Sequence, residues 1–377
     1  MKLSCLQENL SKGLGIVGRA VATKTTLPIT QNVLLKTDES RLKLSATNLE
    51  MAISCWVGAK IDDEGAITIP ARLLTDFTNS LPNELINMKL SRSTLDLTCN
   101  SFKANVKGLS ADDFPPIPDV SDGIVTRVEA EVLREAIAKT VFAAATDESR
   151  PVLTGVNLEF EGNKLVLASA DGFRLSVYEA STLDAASAKA SVIIKARTLN
   201  ELGRFLADQE EPVEIVVNQQ KSQVLFRLKN IVMVSQIIQG AFPNYGQLIP
   251  KSYDTRAVID REQFLRATKM ASIFSRDGGG IVRLMLTPGE EGKPGTIIMS
   301  ARADEIGDNE GTISALIDGA ASKIAFNARY LAEVLNVMGP QNQIALEISN
   351  PSSPGVIRPT GADIKFTHVV MPMFVQW

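Results

Sequence analysis

Few residues in this chain are able to catalyse a reaction or bind a metal. The only histidine, His368, lies in the apolar stretch 366–371, and one histidine cannot build a two-histidine metal site. Any Ser-His-Asp triad would also depend on it. The three cysteines, Cys5, Cys55 and Cys99, have no spacing typical of a metal site. We therefore expect no catalytic residue, no metal and no cofactor, and we interpret His368 as a structural residue of a β-strand.

A glycine pattern near the N-terminus matches the G-x-G-x-x-G fingerprint of dinucleotide-binding proteins. Its glycines are Gly13, Gly15 and Gly18, and Asp38 follows twenty residues later. The fingerprint requires a loop that directly follows a strand and opens a helix. Residues 8–12 already have a helical pattern, and the following segments are strand-like without a crossover helix. We therefore favour close packing, or a weakened helix, over a dinucleotide site.

Length and composition indicate a soluble protein of several domains. The chain has 377 residues, of which 45% are apolar and 22% are charged. No apolar run reaches the ~18 residues of a membrane span, and the N-terminus lacks the apolar core of a signal peptide. Unpaired cysteines predict a cytoplasmic protein with reduced thiols. The net charge of −4 argues against a protein that holds DNA by attraction alone, because such proteins are usually basic.

The chain repeats one pattern three times. The segments IPARLLTDF, IKARTLNEL and FNARYLAEV each contain Ala-Arg, a leucine two residues past the arginine, an acid at plus four and an apolar residue at plus five. Their alanines, at 71, 196 and 328, are 125 and 132 residues apart. The segments PITQNVLL and PVLTGVNLEF lie 123 residues apart, and FPPIP and FPNYGQLIP lie 128 apart. We infer three domains of one fold.

Within one repeat the periodicity changes between helix and strand. Helical patterns cover residues 8–22 and begin again at Ala71, whereas the stretches between them alternate like strands. The acids at 62–64 and Gly65 predict a turn. The resulting order is β-α-β-β-β-β-α-β-β-β, which has too few helices for parallel crossovers. We predict an α+β class, with three tandem units of two helices packed on mostly antiparallel sheet.

Domain boundaries follow from two linker-like segments, at 119–123 and 250–252. We predict domains at 1–122, 123–251 and 252–377. The predicted helices carry a small excess of basic over acidic side chains, although the whole chain is acidic. Solvated helix faces and a functional basic surface explain this excess equally well.

At the level of whole segments, the chain resembles the bacterial DNA polymerase III β sliding clamps. The matching segments are TLPITQNVLL from Thr26, ATNLEMAI from Ala46, IPAR from Ile69, SADDFPPIP from Ser110, ADGFRLSV from Ala170, FPNYGQLIP from Phe242, FNARYL from Phe326 and VVMPM from Val369. The resemblance implies the DNA clamp fold and a head-to-tail homodimer. Six similar units would then form a closed ring, with helices lining the hole and sheets outside.

The resemblance also implies function and partners. Such a protein is a non-catalytic subunit of a DNA polymerase holoenzyme. The holoenzyme as a whole is the nucleotidyltransferase. It encircles double-stranded DNA without sequence preference and confers processivity on the replicative polymerase subunit. Further implied partners are the clamp loader, repair polymerases and mismatch-repair proteins, all bound through one peptide pocket. Containment by a ring removes the need for strong attraction to DNA, which agrees with the acidic net charge.

Three sets of residues match positions with roles in this family. The DNA-binding set, which includes two arginines added by repeat symmetry, is Lys24, Arg72, Arg150, Pro151, Val152, Arg197 and Arg329. The partner-peptide pocket set is Leu153, Gly172, Phe173, Arg174, Leu175, Pro243, Tyr245, Asn327, Tyr330, Val369, Met371, Pro372 and Met373. The dimer-interface set is Ala104, Val106, Ile273 and Phe274.

Some of these assignments have purely structural alternatives. Arg197 and Arg329, the two arginines added by repeat symmetry, could equally form an i,i+4 ion pair with the acid of their motif. The methionine-rich end of the chain could simply pack against its own domain, but a terminal VVMPM has no other reason to remain exposed, which favours a pocket. Phe173 replaces a common histidine, and the tail ends in FVQW where the family usually has Arg-Leu. Both differences make the pocket more apolar, and Trp377 at the end of the tail could cover it in the free protein.

Two rival functions remain open from the sequence. An enzyme with an unrecognised site would need a cluster of titratable residues, which the scarcity of histidine and cysteine disfavours. A scaffold that binds only proteins would never encircle DNA. Retention on circular but not on linear DNA distinguishes a clamp from such a scaffold.

Overall fold

The structure is a computed structural model. It describes residues 1–118, 120, 122–220, 222–275, 279–290, 293–303, 305, 307–339, 342–361 and 365–377. Of the predicted linker at 119–123, Asp119 and Ser121 lie outside the described residues.

The helices of the described chain begin where the repeats predict them. They are α1 Gln7–Val17, α2 Ala71–Ser80, α3 Ala130–Thr140, α4 Ala196–Phe205, α5 Arg261–Ser275 and α6 Ala328–Val337. The helices α2, α4 and α6 start at the three alanines of the repeated motif, which confirms that part of the prediction. The first helix is shorter than predicted, because α1 gives way at Gly18 to a 3-10 turn over Gly18–Ala20.

The strands follow the predicted order with one addition. They are β1 Lys2–Leu6, β2 Asn32–Asp38, β3 Arg41–Thr47, β4 Met51–Val57, β5 Lys60–Asp63, β6 Ala66–Pro70, β7 Leu85–Ser91, β8 Thr94–Cys99, β9 Phe102–Lys107, β10 Ile124–Val128, β11 Gly155–Glu161, β12 Lys164–Ala170, β13 Arg174–Ser181, β14 Ala190–Lys195, β15 Val213–Asn218, β16 Gln223–Arg227, β17 Ile231–Ile238, β18 Thr255–Asp260, β19 Ile281–Thr287, β20 Gly295–Ala303, β21 Gly307–Gly319, β22 Ser322–Asn327, β23 Gln343–Ile348, β24 Gly355–Pro359 and β25 Phe366–Val370.

The second and third repeats match the predicted order, whereas the first contains the extra strand β5. The prediction of a turn at the acids 62–64 was therefore wrong for Asp62 and Asp63. Strand β5 is an edge strand that pairs antiparallel with β1, and Lys2 forms an ion pair with Asp62 at 3.1 Å. Its charged sequence lacks the alternation of a strand, so only the partner strand specifies it.

The described residues form two compact units. The first comprises residues 1–131, 182–188 and 201–237, and the second comprises 132–181, 189–200 and 238–377. The central repeat contributes to both units. The predicted domain boundaries differ from this division and stay predictions.

The first unit contains two antiparallel sheets. One has the order β5-β1-β7-β8-β9. The other has the order β6-β2-β3-β4-β17-β16-β15-β10. Helix α1 packs on β3 and β4 beside α2. A Cβ atom on Gly13 would lie 2.6 Å from Cγ2 of Val57 and 2.8 Å from Cδ1 of Leu44. Gly13 thus allows close packing within α1, as interpreted from the sequence, whereas a Cβ atom on Gly15 or Gly18 would meet no atom within 4 Å.

The second unit contains one long antiparallel sheet, in the order β14-β11-β12-β13-β25-β24-β23-β18-β21-β20-β19-β22. Helix α5 packs on β19, β20 and β21, beside α6. The predicted α+β class with helices on antiparallel sheet is confirmed in both units.

In each unit, the fourth strand of one repeat pairs with the last strand of the next repeat. We call the pairing of β4 with β17 the first junction and the pairing of β13 with β25 the second junction. Of the pocket residues predicted from the sequence, Arg174, Leu175 and Val369 lie in the two paired strands of the second junction.

Candidate functional site

The candidate site is built on the turn between β12 and β13. One carboxylate oxygen of Asp171, Oδ1, accepts hydrogen bonds from the backbone N–H groups of Phe173 at 2.8 Å and Arg174 at 3.0 Å. Between them Gly172 adopts φ +95°, a left-handed conformation that glycine adopts without steric cost. This turn leaves the Phe173 residue 57% exposed, and it directs the Arg174 side chain inward.

Arg174 is the hub of the site. Its side chain is only 3% exposed, and its Nε donates to Oδ2 of Asp171 at 3.0 Å. Its Nη1 donates to Glu333, and its Nη2 donates to the carbonyl of Phe142 at 2.7 Å. The guanidinium also lies over the rings of Tyr330, at 4.4 Å, and Phe142, at 5.4 Å. A buried charge with two carboxylate partners and a carbonyl is well compensated, so Arg174 fixes the frame of the site.

Electrostatics around this hub follow from the same contacts. Burial opposes ionisation of Glu333, but hydrogen bonds from Arg329 and Arg174 outweigh it and lower the pKa of the carboxyl. The pKa of Tyr330 is raised by burial and by the charge of Asp171. The network therefore keeps Glu333 ionised and Tyr330 neutral at physiological pH.

An apolar cluster forms the floor beside the hub. Its buried members are Ala168, Ala170, Leu175, Val177, Val356 and Val369. The half-buried side chains of Phe242, Tyr245 and Ile249, from the segment after β17, pack against it. The Tyr245 hydroxyl donates to Glu159 at 3.1 Å, and burial followed by the Glu159 charge raises its pKa. The cluster thus unites three predicted pocket residues, Leu175, Val369 and Tyr245.

The C-terminal tail borders the site. The backbone N–H of Met371 donates to the carbonyl of Phe173 at 2.8 Å, and that of Met373 donates to the carbonyl of Ala325 at 2.7 Å. These two bonds fix the tail, yet the Met371 residue stays 44% exposed and Phe374 89% exposed. Apolar side chains held open in this way suit binding of varied apolar groups.

Trp377 lies against a neighbouring strand. The Nζ atom of Lys323, on β22, is 5.1 Å from the centre of its ring, a distance typical of a cation–π contact. The structure therefore gives Trp377 a specific partner on β22, although both it and Phe374 remain exposed, Phe374 more so.

The remaining pocket residues have different surroundings. Asn327 caps α6, and its side chain accepts from the N–H of Arg329 at 2.9 Å. Leu153 is buried and Pro243 is exposed, while Pro372 is half-buried. Sequence reasoning missed Phe142, Glu159, Asp171 and Glu333. For Glu333 a signal existed, since it is the acid of the third repeated motif.

The predicted DNA-binding residues differ in exposure and in their side-chain partners. Lys24, Pro151 and Arg197 are exposed, and Val152 is half-buried. The Arg72 side chain is 96% exposed and lies 3.8 Å from Asp76. Arg329 donates to Glu333 at 2.8 Å, so the i,i+4 alternative holds at least for this arginine.

Arg150 lies at the pocket turn. Its Nη2 donates to the carbonyl of Asp171 at 3.1 Å, and a Cβ atom on Gly172 would approach its Nη1 to 3.1 Å. The structure therefore brings Arg150, predicted from the sequence as a DNA contact, to the edge of the pocket.

His368 is a buried strand residue, as expected. It lies on β25 with 0% exposure, its Nδ1 is 2.7 Å from the hydroxyl of Ser176, and its ring stacks on Phe142. Burial and then the charge of Arg174 lower its pKa to about 3. No described residue hydrogen-bonds its Nε2, so this Ser-His pair lacks an acid, and complete burial keeps substrates away.

Other chemistry is not evident in the described part of the chain. It contains no group of three or more histidine, cysteine, aspartate or glutamate side chains arranged to hold a metal ion. Cys5, Cys55 and Cys99 are free and buried, and burial raises the pKa of Cys5 and Cys55 to about 12. None of the described helices has the length and apolar character needed to cross a bilayer.

Comparisons with known proteins agree along the whole chain. Family profiles of the DNA polymerase III beta subunit match residues 1–118 with its N-terminal domain, 127–244 with its central domain and 246–374 with its C-terminal domain. The beta sliding clamp of Synechococcus elongatus is 32% identical and covers 99% of each chain. That of Synechocystis is 33% identical with the same coverage.

Solved structures show the same likeness. The crystal structure of the DNA polymerase sliding clamp from Bacillus subtilis has a TM-score of 0.93 at 26% identity, and 100% of each chain is covered. A sliding clamp from Pseudomonas aeruginosa, crystallised with bound griselimycin, has a TM-score of 0.93 at 29% identity with the same coverage. The resemblance found in the sequence is thereby confirmed, and the chain belongs to the DNA polymerase III beta subunit family, the beta sliding clamps.

Proposed function

We propose that this protein is a non-catalytic processivity clamp, a head-to-tail dimer that encircles duplex DNA and tethers the replicative polymerase. One observation carries the proposal. Within the chain, the fourth strand of a repeat pairs with the last strand of the next repeat at both junctions. The same rule leaves one fourth strand, β21, and one last strand, β9, without such a partner.

Both leftover strands have a free edge among the described residues. Strand β9 pairs only with β8. Residues 307–314 of β21 pair only with β20, since β18 joins β21 from Ala315 onward. A free edge offers unpaired backbone N–H and carbonyl groups to another chain. Pairing β9 of one protomer with β21 of its partner satisfies both edges, and applying it twice closes a ring of six repeats.

Charges on the two edges are complementary. Lys103 and Lys107 are exposed on β9, whereas Asp308 and Glu310 are exposed on β21. Opposite charges on adjacent strands stabilise a pairing and set its orientation.

Side chains of the predicted interface support the same arrangement. The Ile273 residue, on α5, is 53% exposed, and Phe274 beside it is half-buried. On β9, Ala104 is half-buried and Val106 is buried in its own sheet. We infer that Val106 contributes backbone groups to the interface, and that Ile273 contributes apolar surface.

The ring would hold DNA by containment, with helices lining the hole. The predicted contacts, from Lys24, Arg72, Arg150, Pro151, Val152, Arg197 and Arg329, would reach phosphates and avoid base edges. Sequence-independent contact of this kind suits sliding. A net charge of −4 is compatible with it, because a closed ring does not rely on attraction.

The pocket at the second junction would bind short apolar peptide segments of the replicative polymerase, the clamp loader, repair polymerases and mismatch-repair proteins. Phe173, Met371 and Phe374 expose flexible or aromatic apolar surface there. Such surface adapts to several partners, so they would compete for one pocket.

The proposed domain boundaries at 122/123 and 251/252 fall between elements, since β9 ends at Lys107 and β10 begins at Ile124, while β17 ends at Ile238 and β18 begins at Thr255. Buried free thiols suit the proposed cytoplasmic location.

Loading onto nicked circular DNA tests the function. The protein is incubated with ATP, the clamp loader of the same organism and a nicked plasmid, and the DNA is then separated by gel filtration. The clamp proposal predicts co-elution with the circle and release when a restriction enzyme linearises it. Retention on neither form would favour a scaffold that binds only proteins, and retention on both would show DNA binding without encirclement; either result would contradict the clamp proposal.

A further inference from the structure

A cavity of about 400 Å³ lies beside the apolar cluster of the pocket. Two of its lining residues, Ile249 and Val356, also belong to the cluster or pack against it. Gly246, which directly follows the pocket residue Tyr245, lines it as well. The cavity therefore shares two wall residues with the floor of the pocket, and none of the predicted pocket residues lines it.

The cavity carries excess positive charge. Glu347 is the only acidic residue among its described lining residues. Its two carboxylate oxygens are shared by two guanidinium groups, since Oε1 lies 3.5 Å from Nε of Arg256 and Oε2 lies 3.2 Å from Nη1 of Arg358. One carboxylate cannot neutralise two arginines, and the exposed Lys251 adds a further positive charge.

Arg358 has an unused donor. Its Nε–H is buried and has no hydrogen-bond partner among the described residues, although its side chain is 26% exposed. Guanidinium groups bind carboxylates through two parallel N–H groups. A carboxylate that enters the cavity would supply the missing negative charge.

We propose that this cavity is an anion subsite of the peptide pocket, which binds a carboxylate side chain flanking the apolar motif of a partner. The inference depends on the proposed peptide-binding function and deepens it. The wall residues that the cavity shares with the apolar floor, Ile249 and Val356, favour a peptide as the source of the carboxylate, because one ligand can then reach both neighbouring places. Ser252 and Tyr253, which also line the cavity, add polar groups at its edge.

Three synthetic peptides test the proposal. All contain the clamp-binding segment of the organism's replicative polymerase. One has two glutamates before the segment, one has two glutamates after it, and the third has glutamines at both places. Calorimetry with the full-length protein should show that one acidic peptide binds about tenfold more tightly than the glutamine peptide, the contribution of one charge-assisted hydrogen bond.

Two variants test whether the cavity causes this difference in peptide affinity. In R358Q and in K251Q the advantage of the acidic peptide should fall to less than about threefold, while the glutamine peptide binds as to the unaltered protein. Lys251 is exposed, so K251Q stays informative even if R358Q folds poorly. Equal affinities of the three peptides for the unaltered protein would overturn the inference while leaving the pocket intact. Failure of all three to bind would overturn the proposed function itself.

A free-anion site is the remaining outcome. If inorganic phosphate alone binds the protein tightly, loses affinity in K251Q and does not compete with the acidic peptide, the cavity serves a free phosphate, and the peptide assignment is wrong. If phosphate competes with the acidic peptide but not with the glutamine peptide, the result supports the peptide assignment.

Discussion

The two junctions have the same backbone hydrogen-bonding pattern and differ in their side chains. At the first, the side-chain oxygen of Asn48 accepts from the N–H groups of Glu50 at 3.0 Å and Met51 at 2.9 Å, as Asp171 does at the second. The N–H of Gln236 donates to the carbonyl of Glu50 at 2.8 Å, which is the counterpart of the bond from Met371 to Phe173. The repeat therefore provides the same turn and strand pairing twice.

The side chains of the two junctions differ at the turn. Leu49, with φ +73°, occupies the turn position of Gly172. Met51, which is buried, occupies the position of the buried arginine Arg174. The comparison teaches that the fold supplies the same backbone frame at both junctions, whereas the buried Arg174 and the exposed apolar residues of the second would supply the proposed peptide binding.

The proposed dimer contact is a third junction, formed between chains. Replacing Ile273 with aspartate should raise the dissociation constant of the dimer more than about a thousandfold, because an unpaired carboxylate would be buried at the interface. Light scattering across a dilution series measures this. M285D, which alters an exposed apolar residue on β19, is the control and should remain dimeric. An intact I273D dimer would contradict the third junction.

Replacing Arg174 with alanine should have the next largest effect. The change leaves two carboxylates without their buried partner, a loss of about 3–5 kcal/mol, and peptide affinity should fall at least about a hundredfold as the turn loses its frame. Calorimetry with a polymerase peptide measures it. M51A, at the equivalent position of the first junction, should lower stability and leave peptide affinity unchanged. Similar affinity losses in both variants would remove the distinction between the junctions.

The second junction should also be sensitive to acid through His368. Its folded-state pKa, about 3, lies below the ordinary value, so the unfolded chain binds the proton more readily. The stability that this difference contributes is complete above about pH 6.5 and is lost as the pH falls towards 3, with about 2 kcal/mol lost by pH 5. Urea unfolding at pH 7.5 and pH 5 should show a smaller loss in H368Q. An equal loss would show that other groups cause the acid sensitivity.

The tail distinguishes the second junction as well. Removing residues 374–377 should weaken peptide binding more than about tenfold, because Phe374 offers a large exposed apolar surface at the pocket edge. The backbone bonds of Met371 and Met373 would remain. An unchanged calorimetric titration would contradict a role for the tail, and tighter binding would instead show that the tail covers the pocket.

Substitutions at the equivalent turn positions Gly172 and Leu49 should change the stability of the protein in opposite directions. G172A places a Cβ atom in a left-handed conformation and should destabilise the protein by about 1 kcal/mol. L49G removes the steric strain of that conformation at the first junction and should stabilise the protein by up to about 1 kcal/mol. Urea unfolding compares the two variants. The same sign of change in both would show that the turns are not equivalent.

Sequence periodicity predicted the fold well wherever a pattern recurs. Ala71, Ala196 and Ala328 each begin a helix, because their apolar spacing is helical in all three repeats. Strand β5 was missed, since pairing with β1 and not its own pattern creates it. Local sequence carries little information about such edge strands.

The sequence indicated some residues of the candidate site but not the network that joins them. Leu175 and Val369 lie together as expected, because they occupy paired strands. The hub around Arg174 needs Phe142 and Glu333, which are distant in sequence, so no local pattern indicates it. Burial of an arginine is likewise decided by tertiary packing.

Covalent closure of the ring tests containment most directly. Cysteines introduced by K103C or K107C on β9, each combined with D308C or E310C on β21, should form disulfides across the proposed third junction, while the native thiols stay buried. After loading on a nicked plasmid and oxidation, a topologically linked ring should resist detergent on the circle and be lost once the plasmid is linearised. Complete cross-linking with equal loss from both forms would contradict encirclement.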